Sequence, residues 1–210
     1  IRVRDPGTSD GQGLVHEQHF ALPAGLQQHM LVAPTSQKVL YLLHLLHTPS
    51  ADTEPLRHAL CFTKSVETAN RLVRLVAFFE EAWSRHTNTP ALQVRFYSSD
   101  LGTGERIQLL RDFQHGHIDL LVCSDLIARG IDLPHVRHVI SYDVPVDMAK
   151  YVHRVGRTAR AGRAGDAWSL VEEQEVYHFK RMLREAGHFD HMHKHKVKSD
   201  AFDTYLPCYR

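Results

Sequence analysis

An α/β domain built on a doubly wound parallel sheet is predicted by three observations. Short apolar runs alternate with helical patterns along most of the chain, the runs lack clean polar alternation, and polar clusters follow several of them. Strands without alternation are buried on both faces, and strands alternating with helices imply a parallel sheet covered on both sides. The length of 210 residues suits one large domain and is short for two.

In chain order, residues 1–18 are rich in Gly, Asp and Ser without sustained periodicity and are expected to form a flexible N-terminal arm or linker. From Thr35 the spacing of Val39, Leu42, Leu43 and Leu46 repeats with helical period, with Thr35 or Ser36 as cap and Pro49 as stop. Ala59 to Thr63 reads as a strand, and Ser65 opens a long helix through Leu72, Leu75, Val76 and Phe79. The unit repeats with Leu92 to Tyr97 then Glu105 to Phe113, and with Ile118 to Cys123 then a short turn from Asp125 to Ala128. Val136 to Tyr142 then Asp147 to Val155 follow, and Ala167 to Val171 with the helix Glu175 to Ala186 makes the last pair. The domain is therefore expected over residues 19–187, with 188–210 as a basic His-rich tail. In such a sheet the loops leaving the carboxyl ends of strands form the binding edge. Here they begin at Thr63, Ser98, Ser124 and Asp143.

Composition excludes several classes. A chain 43% hydrophobic and 23% charged is neither disordered nor collagen-like. Its apolar runs, such as Val39 to Leu46, fall well short of the roughly 20 residues of a membrane span. Lys and Arg number 25 against 24 Asp and Glu, so the net charge of +1 identifies no anionic partner. Cys61, Cys123 and Cys208 are odd in number and far apart, which reads as core thiols in a reducing, intracellular compartment rather than a disulfide framework or zinc site. Trp83 and Trp168 sit on apolar patterns and are expected in the core, while Asp100 and Glu105 are expected to cap. The start at Ile1, without Met or leader, fits an excised or processed piece of something longer.

Two clusters carry chemistry. His153-Arg154-Val155-Gly156-Arg157-Thr158-Ala159-Arg160 places three arginines at spacing three. That spacing suits either a solvated basic helix end or guanidinium groups converging from one helix face on a polyanion such as a nucleotide phosphate. Gly156 between them would let another backbone come close. Ser124-Asp125-Leu126-Ile127-Ala128-Arg129-Gly130-Ile131-Asp132 follows the most apolar strand. It suits either an ordinary capped turn or contacts to phosphates, with Asp132 placed for a ribose hydroxyl.

Taken together, His-Arg-x-Gly-Arg-x-x-Arg downstream of Ala-Arg-Gly-Ile-Asp, with Leu60-Cys61-Phe62-Thr63 upstream, resembles the C-terminal RecA-like lobe of DEAD-box ATP-dependent RNA helicases. The resemblance covers roughly residues 20 to 187 and implies a P-loop NTPase-like fold. Related DNA translocases carry Gln where His153 stands, so His153-Arg154 favours the RNA-directed branch. Phe96-Tyr97-Ser98-Ser99 and the runs Val155 to Gly162 and Arg181 to Gly187 look most like the nucleolar subfamily acting in large ribosomal subunit assembly. Nuclear and nucleolar location and pre-ribosomal RNA follow as expectations.

The resemblance implies roles residue by residue. Arg157 and Arg160 look like arginine fingers for the ATP γ-phosphate, and with Gly130 and the ribose-binding Asp132 they make up the ATP side. His153 and Asp125 couple the nucleotide and RNA motifs. Thr63, Arg106, Ser124, Arg129 and Gly130 resemble positions that hold the RNA sugar-phosphate backbone, which carries no base information.

The pattern is broken in places. Gln-x-x-Arg reads Thr103-Gly104-Glu105-Arg106, Ser124 replaces a Thr, and Ser98-Ser99 stands for His-Gly. No Gly-x-x-x-x-Gly-Lys-Thr and no Asp-Glu-Ala-Asp is present, so the expectation is a lobe inactive alone, acting as a monomer beside an N-terminal lobe that holds Mg2+. A non-catalytic RNA- or protein-binding module of the same fold is the alternative. His188, His191, His193 and His195 show no zinc spacing, so no metal site is predicted. Contact of Lys194, Lys196 and Lys198 with RNA, or a solvated tail, is expected instead.

Overall fold

The computed structural model describes residues 20–48, 55–125 and 136–209. Its strands are β1 (Leu26–Ala33), β2 (Ala59–Thr63), β3 (Val94–Phe96), β4 (Leu120–Ser124), β5 (His138–Ser141), β6 (Gly165–Glu172) and β7 (Met192–His195). They form one seven-stranded sheet in the order β3-β4-β2-β5-β6-β1-β7, with every pairing parallel. The helices are α1 (Lys38–His47), α2 (Val66–Thr87), α3 (Thr103–Gln114), α4 (Met148–Val155), α5 (Val176–Glu185) and the short α6 (Leu206–Tyr209).

Residue alternation explains the layering. Cys61, Val122, Ile140 and Leu170 point into one apolar cluster with α1 and α2, whereas Leu60, Phe62, Leu121 and Val139 pack on the other face around Phe113 of α3. Met30, Ala167 and Val171 extend that second face under α4 and α5. Successive strand residues point to opposite faces, so a strand apolar at every position is covered on both. The doubly wound prediction therefore holds. Among the described residues no helix is long and apolar enough to cross a membrane.

Three local readings are corrected. First, α1 is entered through a 3-10 turn at Thr35–Gln37, and neither Thr35 nor Ser36 makes a side-chain cap bond. Thr35 instead donates to Glu172 at 2.6 Å. Second, β1 escapes the sequence reading because its first half is Leu26-Gln27-Gln28-His29, without an apolar run. Third, the segment expected as a basic His-rich tail over 188–210 is, over its described residues 188–209, packed on the domain. Met192–His195 pairs with β1 in parallel, and Phe202 and Tyr205 are buried against the α1–α2 face. An imidazole stack makes β7 compatible with the sheet: His195 bonds His29 at 2.9 Å, and His29 lies flat on Trp168 with centroids 4.2 Å apart. Cys61 and Cys123 are buried, as expected of core thiols, and burial pushes the Cys61 thiol up to about 12 and Cys123 higher still.

Candidate functional site

The carboxyl ends of β4, β2 and β5 lie side by side, where an open α/β sheet places its ligands. Thr63 stands opposite Ser124 across the β2–β4 ladder, and Phe62 opposite Ser141 across β2–β5. The Thr63 hydroxyl is buried and donates to the Ser65 carbonyl at 2.9 Å, at the start of the turn into α2. Ser65 caps that helix by accepting from the Thr68 amide. The Ser124 hydroxyl is buried with no hydrogen-bond partner among the described residues, a polar atom at the strand end suited to a contact from outside. Arg106 is half-buried in the first turn of α3, which Glu105 caps by accepting from the Gly102 amide at 2.8 Å. Arg129, Gly130 and Asp132 lie outside the described residues.

A charged network underlies this edge. Arg154 on α4 is 1% exposed and grips Asp125 with both arms, Nε to Oδ1 at 2.7 Å and Nη2 to Oδ2 at 2.8 Å. Such two-pronged pairs fix orientation as well as distance. The same guanidinium donates through Nη1 to the backbone carbonyl of Asp143. The Asp143 carboxylate accepts from Lys38 at 3.0 Å and from the Lys64 amide, next to Thr63, at 2.8 Å. Lys38 also donates to Glu172 at the end of β6, at 2.9 Å. Burial would raise the Glu172 carboxyl, but donors Thr35, Lys38 and Gln174 hold it below the usual range.

The arginines do not share a helix face. Helix α4 stops at Val155, so Arg157 and Arg160 lie beyond it, and Arg154 is turned inward to Asp125 and Asp143. Gly156 approaches no foreign backbone: a side chain there would meet the carbonyl of Val152, in its own turn, at 2.9 Å. The following loop is strained, with Ala159 and Ala161 both at φ +54°, a conformation that L residues adopt at a cost of about 1 kcal/mol or more. Surroundings impose it. Thr158 is buried and donates to the Arg137 carbonyl at 2.9 Å, and Gly165 packs so closely that a Cβ would lie 2.0 Å from the Thr158 hydroxyl.

On this loop the half-buried Arg157 donates to His153 Nε2 at 2.7 Å, and Arg160 donates to the Gly156 carbonyl. Arg157 lies near enough to Cys123, at the end of β4, for its charge to oppose the rise of that thiol. The structure thus joins Asp125 to Arg154, and His153 to Arg157, one helical turn apart. Asp143, Lys38 and Glu172 were given no role from the sequence, and Arg154, read as one of three arginines that could converge on a phosphate, is instead turned inward to Asp125 and Asp143. The available signal was Lys38 heading the otherwise apolar run of α1, and Asp143 at a strand end.

Among known families, the helicase conserved C-terminal domain matches residues 37–162. The Schizosaccharomyces pombe protein named ATP-dependent RNA helicase dbp6 is 38% identical over 185 residues, covering 88% of this chain and 28% of that protein. The Homo sapiens ATP-dependent RNA helicase DDX51 is 36% identical over 203 residues, covering 97% of this chain and 28% of that protein. The chain thus spans little more than a quarter of these curated relatives, 28% of each. The solved C-terminal domain of the DEAD-box protein Dbp5 superposes with a TM-score of 0.64 at 27% identity, covering 88% of this chain and 98% of that one.

Proposed function

The chain belongs to the helicase conserved C-terminal domain family, as the C-terminal RecA-like lobe of a DEAD-box RNA helicase, and from that premise we propose how its residues act. The parent protein is an ATP-dependent RNA helicase, and this lobe supplies Arg157 and Arg160 to the ATP γ-phosphate when an N-terminal lobe closes against it. Thr63, Arg106, Ser124, Arg129 and Gly130 hold the RNA backbone, and Asp132 with Gly130 receives the ribose end of ATP. Contacts shared between lobes favour the closed state, hydrolysis releases it, and a short duplex is opened locally. Alone, the lobe does not turn over ATP.

One observation carries this reading. The buried Arg154–Asp125 pair ties the segment that opens the predicted ribose and RNA contacts to the helix whose next turn presents Arg157, itself held by His153. A cation at the phosphate is therefore positioned by the same helix that fixes the RNA-side turn. We assign Mg2+ to the N-terminal lobe, as the resemblance implies, and derive no step through it. The likeness of Phe96-Tyr97-Ser98-Ser99 to the nucleolar subfamily supports pre-ribosomal RNA as the substrate and the nucleolus as the place of action, and we take a monomer as the acting form.

The test is ATP turnover, with and without RNA, by the longest parent chain containing these residues. Arg157→Ala there is expected to lower turnover about a thousandfold with little loss of nucleotide affinity. Unchanged turnover would remove the finger assignment, and RNA binding without turnover in the unaltered parent would favour a non-catalytic module.

A further inference from the structure

Lys38 is the most completely enclosed ammonium the fold displays, and the mechanism above makes no use of it. It is 2% exposed, lies 4.9 Å from the centre of the Tyr142 ring, and touches two carboxylates from two different strand ends, Asp143 at 3.0 Å and Glu172 at 2.9 Å. Stability alone gives little reason for a charge here, since well-packed apolar residues commonly replace buried ion pairs without loss. What distinguishes Lys38 is where its partner leads. Asp143 serves three elements at once: its Oδ1 takes Lys38, its Oδ2 takes the amide of Lys64 beside Thr63, and its main-chain oxygen takes Arg154. Arg154 in turn holds Asp125, beside Ser124, and stands on the helix that leads to Arg157.

Resting on the helicase reading, we infer that Lys38 is a positioning residue that couples RNA contact to the arginine loop, acting through Asp143. With Lys38 on its Oδ1, the Asp143 carboxylate keeps the Lys64 amide on Oδ2 and the Arg154 guanidinium on its main-chain oxygen in one frame. An RNA strand pressing on Thr63 and Ser124 then moves or fixes α4 as part of a single body. Without the ammonium, Asp143 and Glu172 face each other as uncompensated carboxylates, and the Lys64 turn separates from α4. Binding of RNA at the sheet edge no longer sets Arg157.

The experiment uses the parent chain and reads kcat with saturating RNA, kcat without RNA, and KM for ATP. Lys38→Met is expected to lower the RNA-stimulated rate about tenfold or more while the RNA-free rate and KM for ATP stay within about twofold. Lys38→Arg, which restores a cation, is expected to recover a substantial part of the stimulation. A parallel fall of both rates would make Lys38 merely structural and overturn the inference, as would unchanged stimulation. If Lys38→Met does not fold, Glu172→Gln loosens the same ammonium while leaving Asp143 paired. It should reduce the stimulation ratio about threefold, and an unchanged ratio overturns the inference. A wild-type parent that RNA fails to stimulate sinks the helicase reading, and this inference with it, before any variant is compared.

Discussion

The two ends of β5 and β6 carry buried polar networks made of different materials. At the carboxyl ends, Asp143 and Glu172 meet the ammonium of Lys38 and the guanidinium of Arg154. Toward the amino ends, Asp166 meets imidazoles: His29 Nε2 at 3.3 Å, His138 Nδ1 at 3.3 Å and, at the rim, Arg137 Nε at 3.3 Å. His29 passes the contact on to His195 of β7. A bond between two ring nitrogens needs one to donate and the other to accept, so this second network runs through imidazoles where the first runs through an ammonium and a guanidinium. One strand pair thus combines a frame of Lys and Arg at its carboxyl edge with a fastening of imidazoles around Asp166 for its outer strands. The frame lies at the edge proposed to receive ligand, and the fastening lies where the outer strands join the sheet.

The largest expected effect breaks the frame. Arg154→Met leaves the Asp125 carboxylate without its two donors and the Asp143 carbonyl without one. Arg154 is buried and Asp125 only partly so, so the loss is expected between the ~1 kcal/mol of an exposed pair and the ~3–5 kcal/mol of a fully buried one, readable as a shifted midpoint in chemical denaturation. A loss of only about 1 kcal/mol, the scale of an exposed pair, would mean that water already reaches this edge and that it does not act as a rigid body.

How much of this was legible in the sequence follows from the same contrast. The apolar strands β2, β4 and β6 and their helices could be read because both faces demand apolar residues, and Thr63 and Ser124 stand at the strand ends where the sequence pattern put them. The roles within the edge were harder. Spacing three was read as a shared helix face, but Gly156 ends α4 and the strained Ala159 and Ala161 send the chain elsewhere. Lys38 and Asp143 are charges whose partners lie 105 residues apart in sequence, and no local pattern reveals that they are buried together. Strands β1 and β7 were invisible for a related reason. Their polar members, His29 and His195, become compatible with a sheet only by finding each other and Trp168.

A smaller effect sharpens the comparison through pH. Burial alone would raise the Asp166 carboxyl, yet His138 and His29 beside it hold it well below its ordinary 3.8. A depressed carboxyl contributes stability that is complete above its unfolded value and is lost as pH falls through the folded one. Asp166→Asn is therefore expected to cost about 1–3 kcal/mol near neutrality, with the gap from wild type closing below pH 3.8. His44 gives an internal reference in both proteins. Burial among Phe202 and Tyr205 lowers its value from 6.5, so the unfolded chain takes up that proton first and stability declines as pH falls below 6.5. Wild type should show both declines in pH-dependent denaturation, and in Asp166→Asn the acid decline should shrink to the part that the depressed Glu172 carboxyl contributes. A gap that stayed constant into acid would remove Asp166 from the fastening.

The smallest effect asks whether the two networks open independently. Cys61 and Cys123 lie under the carboxyl edge, fully buried, and with the Cys61 thiol pushed up to about 12 almost none of it is thiolate in mildly alkaline buffer. Cys208, half-buried, lies on the far C-terminal segment and should be the one thiol that a small alkylating reagent modifies quickly in the folded protein. Modification of the other two then measures local opening of the sheet edge rather than intrinsic reactivity. Arg154→Met should speed labelling of Cys61 and Cys123 by more than Asp166→Asn does at equal global stability, with mass spectrometry assigning each site. Equal acceleration in both variants would mean that the sheet opens only as a whole. The carboxyl edge would then have no separate rigidity for Lys38 and Arg154 to confer.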